Sequence, residues 1–127
     1  MNNVINHLRI STPGRVCLFG EHQDYLHLPV VAAAISLRIS IAGNRREDKI
    51  ININLPDISH KESFNIREPI VYSKERDYFK SSLKVLLRNS FTFSSGFDCI
   101  VDGKIPINAG TSSSSALIVT WINFLAR

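Results

Sequence analysis

Apolar residues alternate with polar ones along several short stretches of the chain, which is the pattern of half-buried β-strands. Leucine and isoleucine alternate with arginine and serine from 37 to 41, and isoleucine alternates with asparagine from 51 to 55. The polar segment 43–48 between them has the composition of a hairpin loop, so 51–55 is predicted to be the returning strand. Further strands are predicted at 8–10, 15–19, 63–66 and 97–101, with turns at 11–14 and 102–103. The strand at 15–19 is expected to be buried because it is rich in β-branched and aromatic residues.

The apolar period changes between residues 73 and 90, where it becomes helical. The residues that share one face of this predicted helix are Phe79, Leu83, Leu86 and Leu87. Ser73 is a candidate N-cap, and Glu75 and Asp77 would complement the helix dipole in the first turn. A second helix is predicted from the apolar run that begins at Ala116 and ends at Leu125. Strands, a helix, a strand and a final helix together indicate an α+β domain.

The final helix is apolar around most of its circumference. Its large apolar side chains are Leu117, Val119, Trp121, Ile122, Phe124 and Leu125. A helix of this kind needs burial from several sides. We therefore expect a missing C-terminal part, or a partner chain, to complete its cover.

A serine run follows a glycine turn at 106–117, where the sequence reads PINAGTSSSSAL. The first N–H groups of a helix lack internal partners and attract anions, above all phosphate. The segment therefore predicts an anion site at the start of the final helix, although a flexible serine-rich connector has a similar composition. It is not a Walker loop, because no lysine follows the glycine at the required place. Phosphate charge must be met by backbone amides, serine hydroxyls, a metal ion or basic residues elsewhere.

A second polar cluster lies at 20–25, between two apolar segments, with Arg15 upstream. The carboxylates of Glu21 and Asp24 and the imidazole of His22 can accept hydrogen bonds from several hydroxyl groups, which suits a polyhydroxylated ligand. Two other interpretations stay open: a solvated loop, and a metal site built by the same three side chains, whose spacing matches no strong metal motif.

Composition narrows the class of protein and of partner. The 127 residues are 44% hydrophobic and 20% charged, with a net charge of +4, as in a soluble globular domain. The basic residues are scattered, so no nucleic-acid partner is expected, and no apolar run is long enough for a membrane span. The N-terminus lacks the features of a signal peptide, which favours the cytoplasm. Cys17 and Cys99 are expected to be buried free thiols, with a disulfide as the alternative.

Two segments carry a resemblance to a known family. Residues 13–25, PGRVCLFGEHQDY, resemble the N-terminal signature of galactokinases, and residues 106–117 resemble the phosphate-binding motif of the wider GHMP kinase superfamily. The resemblance implies that residues 1–127 form the GHMP kinase N-terminal domain, a mixed, mainly antiparallel sheet with helices on one face, in truncated form and without the C-terminal domain. The implied reaction is phosphoryl transfer from ATP, with Mg²⁺, to a sugar hydroxyl.

The resemblance also assigns roles to individual residues. Arg15 would lie beside the reacting hydroxyl and the transferred phosphate. The sugar-binding residues would be Glu21, His22, Asp24 and Tyr25. The residues around the nucleotide phosphates would be Ala109, Gly110, Ser112, Ser113 and Ser114, with Ser113 or Ser114 also holding Mg²⁺.

The resemblance leaves the acceptor and the activity of this chain open. The implied acceptor is galactose or a related monosaccharide, and the Asp24–Tyr25 pair argues against a mevalonate-type acceptor. The catalytic aspartate of these kinases lies beyond the serine helix, so the 127-residue chain alone is expected to be inactive. The alternatives are a non-catalytic sugar- or nucleotide-binding member, a regulatory member, or an inactive truncated product.

Overall fold

The computed structural model describes residues 7–105 and 112–127, which form five strands and two α-helices. The elements, in chain order, are β1 (His7–Phe19), β2 (Val31–Arg45), β3 (Ile50–Leu55), β4 (His60–Asn65), α1 (Tyr78–Arg88), β5 (Phe97–Gly103) and α2 (Ser113–Leu125). Short 3₁₀ turns lie at Asp24–Leu26 and Pro56–Ile58. The predicted α+β class is confirmed, with one mixed sheet.

The sheet has the strand order β1-β2-β5-β3-β4. β5 is antiparallel to β2 and parallel to β3, and the other neighbouring pairs are antiparallel. The hairpin predicted at 43–48 is therefore wrong, because β5 lies between the two strands that this loop connects. A polar loop indicates that the chain reverses, but the neighbour of each strand is chosen by contacts distant in sequence.

Two predicted turns lie inside strands. β1 runs through 11–14 with a register shift between Pro13 and Arg15, and β5 runs through Asp102 to Gly103. Proline is tolerated here because β1 is an edge strand, where one side of the backbone needs no partner from the sheet. Both segments contain residues that favour turns. Pairing of β1 with β2, and of β5 with β2, nevertheless keeps them in strands.

α1 begins at Tyr78, later than the sequence predicts, and its N-cap is Asp77 instead of Ser73. The Asp77 carboxylate accepts from the backbone N–H of Lys80 at 3.4 Å and from the backbone N–H of Ser73 at 3.2 Å. Ser73 thus helps to hold the capping carboxylate, and Glu75 precedes the helix. A carboxylate and a serine both suit an N-cap, so local sequence could not choose between them.

Both helices pack against one face of the sheet and share a single core. The indole of Trp121 is 1% exposed, donates from Nε1 to the Phe79 carbonyl at 3.0 Å, and packs edge-on against the Phe79 ring. The Phe124 ring stacks on the indole, with ring centroids 5.9 Å apart. The sheet contributes alternate residues to this core, namely Ile39, Ile41, Ile51, Ile53, Cys99 and Val101.

This core covers most of α2. Trp121, Phe124 and Leu125 are buried against the sheet and α1, whereas Val119 keeps 46% of its surface exposed. The chain therefore provides more cover for α2 than its sequence suggests, and one side of the helix stays open. No helix within 7–105 and 112–127 is long and apolar enough to cross a lipid bilayer.

The end of the β1–β2 hairpin extends beyond the rest of the sheet. β5 pairs with β2 only from Ile39 to Arg45, so residues 15–37, here called the arm, form a two-stranded extension with a loop at its tip. The segment 15–19 is a strand as predicted, but Phe19 is 75% exposed. The predicted burial is wrong for the outer end of this strand, whereas Val16 and Cys17 are half-buried. The other exposed large apolar side chains of the arm are Leu18, Tyr25, Leu26, Leu28, Val30, Val31 and Leu37.

Candidate functional site

Backbone hydrogen bonds fold the loop at the tip of the arm. The N–H of Gln23 donates to the Gly20 carbonyl, and the N–H groups of His27 and Leu28 donate to carbonyls within the loop. Gly20 has a φ of +88° and lies so close to Pro29 that a Cβ would stand 2.9 Å from the Pro29 carbonyl oxygen. His22 also adopts a positive φ, at 65°. The tight loop therefore directs its polar side chains outward.

These side chains line a cleft of about 560 Å³, here called the arm cleft. It is lined by Arg15 and Cys17 from β1, by Gly20, Glu21, His22 and Asp24 from the loop, by Val30 just before β2, by Ala32 from β2, and by Ser112 at the start of α2. The fold thus brings the predicted sugar-binding cluster and one end of the predicted phosphate segment into one cavity. Tyr25 is not among the lining residues, and its side chain is 68% exposed.

The polar groups of the arm cleft are available to a ligand. Within the described part of the chain, no hydrogen bond or ion pair occupies the side chains of Arg15, Glu21, His22 or Asp24. Two carboxylates and an imidazole supply acceptors for hydroxyl groups, and the guanidinium supplies donors for an anion. The arrangement can therefore bind a polyhydroxylated ligand beside a phosphate.

The start of α2 leaves several donors unpaired by the helix. The first intrahelical bond runs from the N–H of Ala116 to the carbonyl of Ser112, so the N–H groups of 113–115 have no partner in the helix. Ser112 has a left-handed backbone, with φ 55° and ψ 43°, and its hydroxyl makes no capping bond. These donors and hydroxyls fit a phosphate group. Ala109 and Gly110 lie outside the described residues.

A second cavity, of about 300 Å³ and here called the α2 pocket, opens beside Ser113 and Ser114. Its apolar wall consists of Ile39, Leu55, Ile58, Val101, Ile105 and Leu117, and its polar residues include Asp57, Arg76 and Tyr78. Sequence reasoning missed this pocket. Its residues come from five separate segments that form no local motif, and several of them showed only the alternating pattern of a strand that faces the core.

Two further predictions concern a metal site and the state of the two cysteines. The described residues contain no group of three or more His, Cys, Asp or Glu side chains arranged to hold a metal ion. Neither cysteine forms a disulfide: Cys99 is buried, whereas Cys17 is only half-buried and lines the arm cleft. Burial, followed by the charge of Asp98, raises the pKa of the Cys99 thiol to about 12.

Comparison with known proteins gives two family matches. Residues 6–45 match the galactokinase galactose-binding signature, and residues 77–127 match the GHMP kinases N-terminal domain. The first match contains the arm cleft's loop and the second contains α1, β5 and α2.

Individual relatives agree with these matches. A galactokinase of Haemophilus influenzae is 30% identical over 114 residues, which are 88% of this chain and 30% of that protein. The structure of Lactococcus lactis galactokinase complexed with galactose has a TM-score of 0.76 and 27% identity, covering 89% of this chain and 30% of that one. Methanococcus jannaschii mevalonate kinase shares the fold, with a TM-score of 0.82 and 24% identity over 99% of this chain and 41% of that one.

The chain thus spans about a third of the length of the curated galactokinases it matches. The galactokinase match contains every described residue of the arm cleft except Ser112, and the GHMP match contains the start of α2, which lines both cavities. The chain belongs to the GHMP kinase superfamily, with galactokinases among its relatives, and it has the fold of that superfamily's N-terminal domain.

Proposed function

We propose that this chain supplies the sugar-binding and phosphate-binding parts of a kinase that transfers the γ-phosphoryl group of ATP to a hydroxyl of a monosaccharide. The observation that carries the proposal is the arm cleft, in which Glu21 and Asp24 lie in the same cavity as Ser112. Phosphoryl transfer depends mainly on positioning the two substrates and neutralising charge, and a shared cavity meets the first requirement.

The acceptor sugar is held by the loop at the tip of the arm. The carboxylates of Glu21 and Asp24 accept hydrogen bonds from sugar hydroxyls, with His22 beside them in the cleft. The exposed side chain of Tyr25 also contacts the sugar in this proposal. Arg15 lies beside the reacting hydroxyl and donates to the transferred phosphate. The galactokinase relatives support galactose or a related monosaccharide as the acceptor.

The nucleotide is held at the start of α2. Its phosphates bind the free N–H groups and hydroxyls of 112–114, together with Ala109 and Gly110, and its base occupies the α2 pocket, whose apolar wall suits a planar ring. Mg²⁺ usually binds through few protein ligands and through substrate phosphates, so one hydroxyl, from Ser113 or Ser114, fits the role of protein ligand. When bound, Mg²⁺ neutralises charge on the phosphates.

Turnover is proposed to need more polypeptide than the 127 residues. Among the described residues, the only carboxylates of the arm cleft are Glu21 and Asp24, and both bind sugar hydroxyls in this proposal. We infer that a C-terminal part or a partner chain supplies the catalytic base and covers the exposed apolar residues of the arm. A cytoplasmic location is part of this proposal.

A panel of monosaccharides tests the proposal. The 127-residue protein should bind its sugar and ATP in calorimetry but show no appreciable ATP consumption, and robust turnover would refute the need for further polypeptide. Asp24→Ala should abolish sugar binding and leave ATP binding largely intact. Glu68→Ala, which removes an exposed carboxylate from a turn outside both cavities, is the matched control. Equal loss of sugar and ATP binding in Asp24→Ala would contradict the proposed division of roles.

The second candidate is a sugar- and nucleotide-binding protein without catalysis. It is favoured because the described residues that line the cleft include no carboxylate besides those of Glu21 and Asp24. A longer polypeptide that carries this chain distinguishes the two: ATP consumption with one sugar of the panel supports the kinase, whereas binding of both ligands without turnover supports the non-catalytic protein.

A further inference from the structure

Arg76 lines the α2 pocket together with Ser113 and Ser114. Within residues 7–105 and 112–127, no hydrogen bond or ion pair engages its guanidinium. Arg46 is different, because it donates to the carboxylates of both Asp48 and Asp98. An arginine that lines a cavity without a partner is available to an anionic ligand.

The backbone conformation at Arg76 is unusual. Its φ is +57°, a left-handed conformation that is uncommon for a residue with a Cβ, and its carbonyl accepts from the N–H of Tyr78 at 2.8 Å. The next residue, Asp77, is 5% exposed and is anchored by the N–H groups of Ser73 and Lys80. Such a conformation persists only where the surroundings enforce it, and it is frequent at ligand sites.

The start of α2 lacks a cation of its own. Its N–H groups and serine hydroxyls can donate to phosphate, but residues 112–116 contain no lysine or arginine. Asp57 also lines the pocket, and one of its carboxylate oxygens is occupied by the N–H of Gly103 at 2.8 Å. Arg76 is therefore the one positive charge among the described residues that line this pocket.

We propose that Arg76 binds the phosphate oxygens of a nucleotide in the α2 pocket and takes the place of the lysine that a Walker loop would provide. The inference rests on the proposed nucleotide site and adds a residue that comes from the segment before α1. A guanidinium can donate two parallel hydrogen bonds to a phosphate, which makes it suited to this position.

Calorimetry on the 127-residue protein with ATP, ADP and adenosine tests the role. Arg76→Gln removes the charge and keeps most of the side chain, so ATP affinity should fall about ten-fold or more, while adenosine affinity stays within about two-fold. Arg76→Lys should recover part of the loss. Arg88→Gln is the matched control, because it removes the same charge from an exposed position on α1 outside the pocket, and it should leave both affinities nearly unchanged.

The outcomes separate this inference from the proposed function. If the wild-type protein binds ATP and Arg76→Gln binds it equally well, the role of Arg76 is refuted and the nucleotide site stands. If adenosine affinity falls as much as ATP affinity, Arg76 contacts the base and the phosphate role is refuted. If the wild-type protein binds neither nucleotide, the nucleotide site itself fails. Arg76→Asn, which also removes the charge and tolerates the left-handed backbone, must repeat the Arg76→Gln result if folding is intact by near-ultraviolet circular dichroism.

Discussion

The body of the domain and the arm are stabilised in different ways. In the body, Trp121, Leu83 and Ile41 are almost completely buried between the sheet and the helices. In the arm, Phe19 and Val31 are more than half exposed, and the backbone is held by pairing with one neighbouring strand and by bonds within the loop. The proposed sugar-binding residues thus lie on the region with the least packing of its own.

The comparison indicates where further contacts are needed. A two-stranded hairpin is only marginally stable by itself, and a contiguous exposed apolar patch usually marks an interaction surface. The body needs no such help, because one buried core joins both helices to β2, β3 and β5. Mutations should therefore affect the stability of the body strongly and that of the arm weakly.

The largest expected effect comes from the centre of the body. Trp121→Ala removes a buried ring and its hydrogen bond to the Phe79 carbonyl, and it should lower the free energy of unfolding by about 3–5 kcal/mol. Val119→Ala, on the exposed side of the same helix, should cost about 0.5 kcal/mol or less. Urea denaturation followed by circular dichroism measures both, and similar losses in the two variants would show that α2 is not packed as described.

The next largest loss of stability is expected where the backbone of Gly96 lies close to the backbone of Ile50. A Cβ at Gly96 would lie 1.9 Å from the Ile50 carbonyl oxygen, so Gly96→Ala should destabilise the body by about 1–3 kcal/mol. Gly103→Ala is the control, since the nearest atom to its Cβ would be 3.6 Å away, an ordinary contact. The same denaturation experiment applies, and a harmless Gly96→Ala would mean that the start of β5 does not approach β3 so closely.

Substitution in the arm should change surface properties more than stability. Phe19→Ser replaces a side chain that is 75% exposed, so the free energy of unfolding should stay within about 0.5 kcal/mol of the wild-type value. Binding of a hydrophobic fluorescent dye should fall, because part of the exposed apolar patch is lost. A large loss of stability would show instead that another part of the chain covers Phe19.

The reactivity of the two cysteine thiols tests the same difference between the arm and the body without any substitution. Cys99 is 3% exposed and its pKa is raised to about 12, so its reactive thiolate is almost absent at neutral pH. Cys17 lies half-buried in the arm cleft. A thiol-reactive dye should label one cysteine in the folded protein and both in denaturant, and mass spectrometry should assign the first label to Cys17. Labelling of Cys99 in the folded protein would contradict the packing of the core.

Local patterns were sufficient for the strands that face the core and for both helices. Alternation at 51–55 and at 37–41 marked strands in which Ile39, Ile41, Ile51 and Ile53 are buried, although Leu37 is exposed. The helical period marked Phe79, Leu83 and Leu86 on the buried face of α1, whereas Leu87 is exposed. These patterns work because burial of alternate or helically spaced side chains is the cause of each element. Motif resemblance likewise identified the segments 13–25 and 106–117, since each is contiguous in the chain.

Other features depended on residues far apart in sequence. The position of β5 between β2 and β3 contradicts the hairpin predicted at 43–48. β5 pairs with β2 only from Ile39 to Arg45, and Leu18 and Phe19, beyond that pairing, are exposed. The α2 pocket and the place of Arg76 in it are likewise assembled from distant segments.

Local sequence was sufficient to predict the strands that face the core, both helices, the family resemblance and the two motifs. Each of these depends on the chemistry of residues that are neighbours in the chain. The tertiary structure decided strand order, the exposure of the arm, the shared cavity of Asp24 and Ser112, and the cation beside α2. Those features depend on which strands pair and which surfaces pack, and a local pattern of residues does not specify that choice.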